Sequence, residues 1–393
     1  MPSLSHIAFV CPRFPEGPTV GGAETLLKQQ AVHLARAGRK VSFLTTCARN
    51  HFTWENEVPP GDREIDGLRV YFFPVDEERD VRTFLRVQES ISRGRTVTPD
   101  EESLWLGNSV NSQALFEHLR TQGQHYDRIV MGPYLFGLVC HAATIHPDRT
   151  LLVPCLHDEP FAYLQSIAAM FRAVRGCVFN TEAERELARR LYELDPSHTD
   201  VVGMGLDPFE CDPDWVARRH GVTSPYLLYS GRREPLKGTP LLLDYFAAFR
   251  ERTRQDINLV LTGTGPVSPP AGVSQFVVDL GFVSEQEKHN TMAGALAFCH
   301  PSVNESLGIV LLESWLAGTP GIVHAGSSVL RRHCEASNAG LWFRTYAEFE
   351  EECLLLLRNP DVGRAMGEAG RDYVRSQYAW QAIGTRLDRA LAK

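Results

Sequence analysis

Short apolar runs separated by amphipathic stretches recur along the whole chain. In the first half the runs 7–10, 41–45, 68–73, 128–131, 151–154, 177–179 and 200–202 each have the length of one buried strand. A helix is predicted over 24–37, where Leu27, Ala31 and Leu34 share one face and Gly38 supplies the stop. Thr181 followed three residues later by Glu184 forms a capping box that opens another helix. The alternation then restarts, with runs at 226–230, 259–262, 276–279, 297–299 and 322–324. A second capping box, Ser284 with Glu287, begins a helix running toward Ala293. Short buried strands alternating with helices predict parallel sheets covered on both faces. The fold class expected is therefore α/β, with two doubly wound Rossmann-like domains facing a cleft and a junction within 204–224. A length of 393 residues gives each domain enough chain for its own core.

One region breaks the rhythm. Residues 76–111 are polar and charge-rich, with Phe84 and Trp105 as their aromatic content. They read either as a partly helical insertion carrying substrate recognition or as a solvated decoration.

Charge and cysteine content narrow the function. With 40 basic against 48 acidic side chains and a net charge of −8, a general nucleic-acid binder is excluded. The nine cysteines are widely and irregularly spaced with no C-x-x-C pair, so buried free thiols are expected, as at Cys177 and Cys299. No run reaches 18 apolar residues, and the stretch 7–10 is too short for a signal sequence. A reduced, cytoplasmic protein is expected, for which peripheral contact with the inner face of the membrane stays open. Only five of the basic residues are lysines, so a lysine inside a motif carries more information than usual.

Four segments could carry chemistry. After the run 226–230 comes Gly231-Arg232-Arg233-Glu234-Pro235-Leu236-Lys237-Gly238, with Thr239 as expected N-cap and Pro240 in the first turn. Glycines, two cations and a helix N-terminus at the carboxyl end of a strand suit a phosphate-bearing ligand. The second segment runs from His300 through Asn304-Glu305-Ser306-Leu307-Gly308-Ile309 to Glu313. Two glutamates eight residues apart in an apolar segment would span about 12 Å along a helix. Each could accept paired hydrogen bonds from vicinal sugar hydroxyls. Gly21-Gly22-Ala23-Glu24 permits close backbone approach at the start of the first helix. His157-Asp158-Glu159 follows a strand and suits hydroxyl binding or proton handling, although an exposed acidic turn reads equally well. Asp212-Pro213-Asp214 has metal-motif spacing but reads as a loop. Gly263-Thr264-Gly265-Pro266 lacks the third glycine of a dinucleotide fingerprint, no P-loop is present, and no histidine pair has zinc-ligand spacing.

Together these segments, in this order, resemble the retaining glycosyltransferases of the two-Rossmann-domain (GT-B) class, specifically glycosyltransferase family four. The resemblance covers nearly the whole chain and adds a junction motif, Val202-Gly203-Met204-Gly205-Leu206-Asp207. It implies an acceptor-binding domain over 1–205, completed by a C-terminal helix at 378–393, and a nucleotide-sugar-binding domain over 206–377. It also implies that Arg232 and Lys237 hold a diphosphate, Glu313 the ribose and Glu305 the donor hexose. Gly21, Gly22, Gly231, Ser306, Leu307, Gly308 and Ile309 would line the donor, and His157 would lie close to the transferred sugar. Asp158 would be a less favoured candidate for the base. No metal and no cofactor are implied, because fixed cations serve the leaving group. The reaction expected is transfer of a hexose from a nucleotide-diphosphate sugar to a glycan, lipid-linked or small-molecule acceptor, with retention. It would serve polysaccharide or glycoconjugate assembly. The alternatives are a sugar-nucleotide epimerase or hydrolase of the same fold, and a non-catalytic sugar-nucleotide-binding protein. Two departures stand out: 76–111 matches no family motif, and Gly263-Thr264-Gly265-Pro266 replaces the usual aspartate-containing turn.

Overall fold

The apolar runs become strands because side chains buried on both faces of a parallel sheet leave no polar alternation to read. The computed structural model describes residues 5–16 and 21–393. The chain divides into two units, Met1–Gly205 with Trp380–Lys393, and Leu206–Ala379.

The first unit holds β1 (His6–Val10), β2 (Lys40–Thr46), β3 (Gly61–Ile65), β4 (Leu68–Phe73), β5 (Arg128–Met131), β6 (Thr150–Leu152), β7 (Gly176–Phe179) and β8 (Thr199–Val201). Their order is β3-β4-β2-β1-β5-β6-β7-β8. Residues Ile7 to Val10 are fully buried at the centre, parallel to β2 and β5. The sheet is not wholly parallel as expected: β3 runs antiparallel to β4, with Gly61 opposite Phe72 and Ile65 opposite Leu68. Its sequence, Gly-Asp-Arg-Glu-Ile, is mostly exposed, so no apolar run marks it. An edge strand held by backbone bonds to one neighbour needs none.

The segment 76–111 contains two helices, Val81–Ser92 and Pro99–Gly107, the second opened by a capping box between Thr98 and Glu101. Buried Trp105 stacks near Phe84 and Phe161. Buried Glu102 accepts the backbone N–H groups of Gln165 and Ser166 at 3.0 and 2.8 Å. The insertion is thus docked on the unit by an aromatic stack and a helix N-terminus. The helix Trp380–Ala392 is also fixed here: Trp380 stacks on His33 at 4.6 Å, Asp388 pairs with Arg39 at 2.6 Å, and the Leu391 carbonyl accepts from Arg128 Nε at 2.9 Å.

The second unit holds β9 (Tyr226–Ser230), β10 (Asn258–Thr262), β11 (Val277–Asp279), β12 (Ala297–His300), β13 (Gly321–His324) and β14 (Gly340–Phe343), all parallel, in the order β11-β10-β9-β12-β13-β14. The chain leaves β9 in one direction and returns to β12 on its other side. Their carboxyl ends therefore flank the point where strand order reverses, the usual ligand crevice of a doubly wound sheet.

Local details differ from expectation. Gly238, not Thr239, caps the helix Thr239–Thr253. Thr181 caps the helix Glu182–Tyr192, but the Glu184 carboxyl group reaches past it to accept the N–H groups of Asn180 and Leu156, both at 2.6 Å. All nine cysteines are free thiols, eight of them buried. Among the described residues no helix is long and apolar enough to cross a membrane.

Candidate active site

Two loops leave adjacent strand ends in the second unit, 231–238 after β9 and 301–308 after β12. Gly238 brings them together. Its φ is +74°, and a Cβ there would lie 2.6 Å from the Pro301 carbonyl oxygen, so only glycine allows the approach. As a result Lys237 Nζ sits 2.7 Å from Glu305 Oε1, and His300 Nε2 lies 3.0 Å from the same oxygen. Burial alone would raise the Glu305 carboxyl, but the Lys237 and His300 charges hold it well below the usual carboxylate range. Arg232, about a third exposed, lies on the same loop with its guanidinium 3.3 Å from Glu234. Gly231 starts that loop, its N–H bonded to the Thr262 carbonyl at 3.0 Å. The two cations therefore sit on one loop at the switch point, one of them locked to a buried carboxylate.

Gly308 caps the helix Ile309–Ala317 with φ +75°. Ser306 and Leu307 are buried before it, and the Leu307 carbonyl accepts from His333 Nε2 at 3.0 Å. Because 304–308 is irregular, the spacing of Glu305 and Glu313 is not the helical rise the sequence suggested. Glu313 meets neither Lys237 nor Glu305. Its partner is Lys288, whose Nζ lies 2.9 Å from Glu313 and 2.8 Å from Glu285. Burial raises the Glu313 carboxyl against the pull of that ammonium. Lys288, lowered by its own burial, is raised overall by the two carboxylates.

In the first unit Gly21 and Gly22 open the helix Gly22–Arg36, and the Gly21 N–H donates to Glu24 Oε2 at 2.7 Å. Buried Glu24 is in turn held by buried Arg13, whose Nε lies 2.9 Å from Oε1. His157 Nδ1 stands 3.4 Å from Glu159. Asp158 is half exposed, accepting from Tyr163 Oη at 2.7 Å and pairing with Arg190 at 2.8 Å. A carboxylate already bound to a guanidinium and a phenol is a poor proton acceptor.

The family described as glycosyl transferases group 1 matches residues 217–373. A phosphatidyl-myo-inositol mannosyltransferase of Mycobacterium leprae (strain TN) is 30% identical over 53% of this chain and 57% of its own length. A D-inositol 3-phosphate glycosyltransferase of Saccharomonospora viridis is 24% identical over 93% of this chain and 88% of its own length. Anabaena HepE in complex with UDP-glucose superposes with a TM-score of 0.70 at 17% identity, over 98% of this chain and 99% of that one. Residues 217–373 thus resemble the glycosyl transferases group 1, and the chain shares its two-Rossmann-domain fold with HepE.

Three polar residues in or beside these segments were not among the sequence candidates. Arg13 escaped notice because its partner Glu24 lies eleven residues away in another element. Arg233 is buried, bonded to the Gly265 carbonyl at 2.8 Å and paired with Asp279, which ties the 263–266 turn to the 231–238 loop. Lys288 was one of five lysines, a signal read only for Lys237. Nor did any motif in the sequence bring Glu285, His289 and Glu313 together. Glu285 and His289 stand one helical turn apart, and with Glu313 their ligand atoms lie within 4.8 Å of one another. The Lys288 ammonium pairs with both carboxylates and offsets one of their two charges. Asp212, by contrast, behaves as a loop residue, paired with Arg218 and accepting from the Asp214 N–H.

Proposed function

We propose that this protein transfers a hexosyl group from a nucleoside-diphosphate sugar to an acceptor hydroxyl, with retention of anomeric configuration and without a metal. The observation that carries this reading is the Lys237–Glu305–His300 cluster on the two loops of the switch point, with Arg232 beside it. The binding of UDP-glucose by a protein of the same fold supports the donor class.

Breaking the bond from the anomeric carbon to the diphosphate sends its electron pair to the departing oxygen. Arg232, Lys237 and the N-terminus of Ile309–Ala317 would stabilise that charge, and one preorganised donor of this kind is worth about 3–4 kcal/mol. Glu305, kept ionised by its neighbours, would accept hydrogen bonds from hexose hydroxyls, and Glu313 those of the ribose. The acceptor oxygen attacks on the face the diphosphate leaves, and its proton passes to the departing phosphate. Asp158, with both oxygens engaged, is not the base in this scheme. A role in polysaccharide or glycoconjugate assembly follows the family resemblance.

The test is a thermal-shift panel of uridine, guanosine and adenosine diphosphates and their common sugars, followed by turnover of the sugar that binds. One nucleotide family should stabilise the chain, and Lys237→Ala should lower turnover at least ~100-fold. Epimerised sugar formed from donor alone, with no acceptor dependence, would overturn the reading.

A further inference from the structure

The insertion 76–111 and the segment 158–165 enclose a cavity of about 480 Å³ in the first unit. That volume lies within the ~300–1,000 Å³ typical of small-molecule sites. One wall is the turn between the helices Val81–Ser92 and Pro99–Gly107, including Arg95, Thr96 and Val97; the other carries Asp158, Glu159 and Tyr163. The walls cannot drift apart freely, because Glu102 binds two N–H groups of the opposite side and Trp105 stacks at 5.3 Å from Phe161. Asp158, the chain neighbour of His157, is part of the cavity lining.

Its chemistry is specific. Tyr163 is 60% exposed, and its hydroxyl is pinned to Asp158 at 2.7 Å, so the ring is held in place with much of its surface uncovered. An aromatic face next to carboxylate oxygens matches a sugar, which has C–H groups on one face and hydroxyl donors at its edge. The lining charges are Glu102, Asp158 and Glu159 against Arg95, and with Arg190 paired to Asp158 at 2.8 Å the acids still exceed the bases by one. Such a balance repels a phosphate at close range.

We propose that this cavity is the acceptor subsite and that it takes an uncharged sugar in preference to a phosphorylated one. The proposal rests on the transferase reading for the word acceptor, but its sugar binding can be measured apart from it. It also separates this chain from relatives whose names specify a phosphorylated inositol.

Saturation-transfer NMR on the intact chain tests it. The probes are methyl α-mannopyranoside, maltose and cellobiose, set against glucose 6-phosphate and myo-inositol 1-phosphate. At least one uncharged sugar should receive saturation and the phosphates should not. Thr96→Trp, which fills the cavity from an exposed turn, should abolish the signal. Tyr163→Ala should weaken binding about tenfold, the equivalent of one lost contact of ~1.4 kcal/mol. Both variants should keep the wild-type thermal shift with nucleoside diphosphates. Preference for the phosphates, no saturation of any uncharged sugar, or sugar binding untouched by both variants would overturn the proposal. Loss of all nucleotide binding with the sugar signal intact would instead defeat the transferase reading.

Discussion

Replacing Lys237 by Ala removes the cation nearest Glu305 and separates two roles that one residue carries. The Glu305 side chain is only 13% exposed and Lys237 28%. Removing one partner of a buried pair costs roughly 3–5 kcal/mol. Because water reaches Lys237 and His300 remains 3.0 Å from the carboxylate, about 2 kcal/mol is expected here. For a unit of this size that lowers Tm by about 4–8 °C. Turnover should fall further, by ~100- to 1,000-fold, because the departing diphosphate loses a preorganised donor. The double variant Lys237→Ala/Glu305→Gln leaves no orphaned charge. Its Tm should return most of the way while turnover stays low. The assays are thermal unfolding and single-turnover release of nucleoside diphosphate. Near-normal turnover in Lys237→Ala, or activity that recovers with Tm in the double variant, would refute the reasoning.

Three further outcomes follow from the same geometry. Lys288→Met removes the ammonium that opposes the upward shift of Glu313, so Glu313 should be more readily protonated and the donor KM should rise about tenfold with a smaller change in kcat, measured by steady-state kinetics. Gly308→Ala must hold φ +75° and meet Leu330 at 2.6 Å, so stability should drop by roughly 1–2 kcal/mol or more by urea denaturation, with weaker donor binding. Glu184, pushed up by burial to about 8 from its ordinary 4.5, keeps its proton in the folded chain where the unfolded chain releases it. Its stabilising contribution is therefore complete below 4.5 and is lost as pH rises through about 8. Glu184→Gln should flatten the decline in unfolding free energy between about pH 5.5 and 7.5, and an unchanged slope would count against the assignment.

Where burial and sequence adjacency coincide, the sequence was legible. Strands such as Tyr226–Ser230 and Arg128–Met131 are continuous apolar runs at the sheet centres and appear with the expected bounds. The Ser284–Glu287 capping box formed because its atoms lie within one turn. What escaped depends on contacts distant in sequence. β3 has no apolar signature because its order comes from β4, and the polar segment 76–111 folds as helices because Trp105 and Glu102 find partners at 161 and 165–166. The motif residues at the switch point were readable, with Lys237 and Glu305 meeting across 68 residues of chain. The partners that tune them were less so. Lys288 was visible as a rare lysine, yet nothing local connected it with Glu313. Asp158 read as a candidate base until its two oxygens were found bound to Tyr163 and Arg190.

The central claim is that fixed protein cations, not a metal, carry the charge of the departing diphosphate. It is tested most directly by release of nucleoside diphosphate from the bound donor, with acceptor and excess chelator present, in the wild type and in Arg232→Ala/Lys237→Ala. The account predicts undiminished wild-type release, a glycoside product of retained configuration, and loss of at least ~1,000-fold in the double variant. Release that requires an added divalent cation, or that survives removal of both side chains, would contradict it.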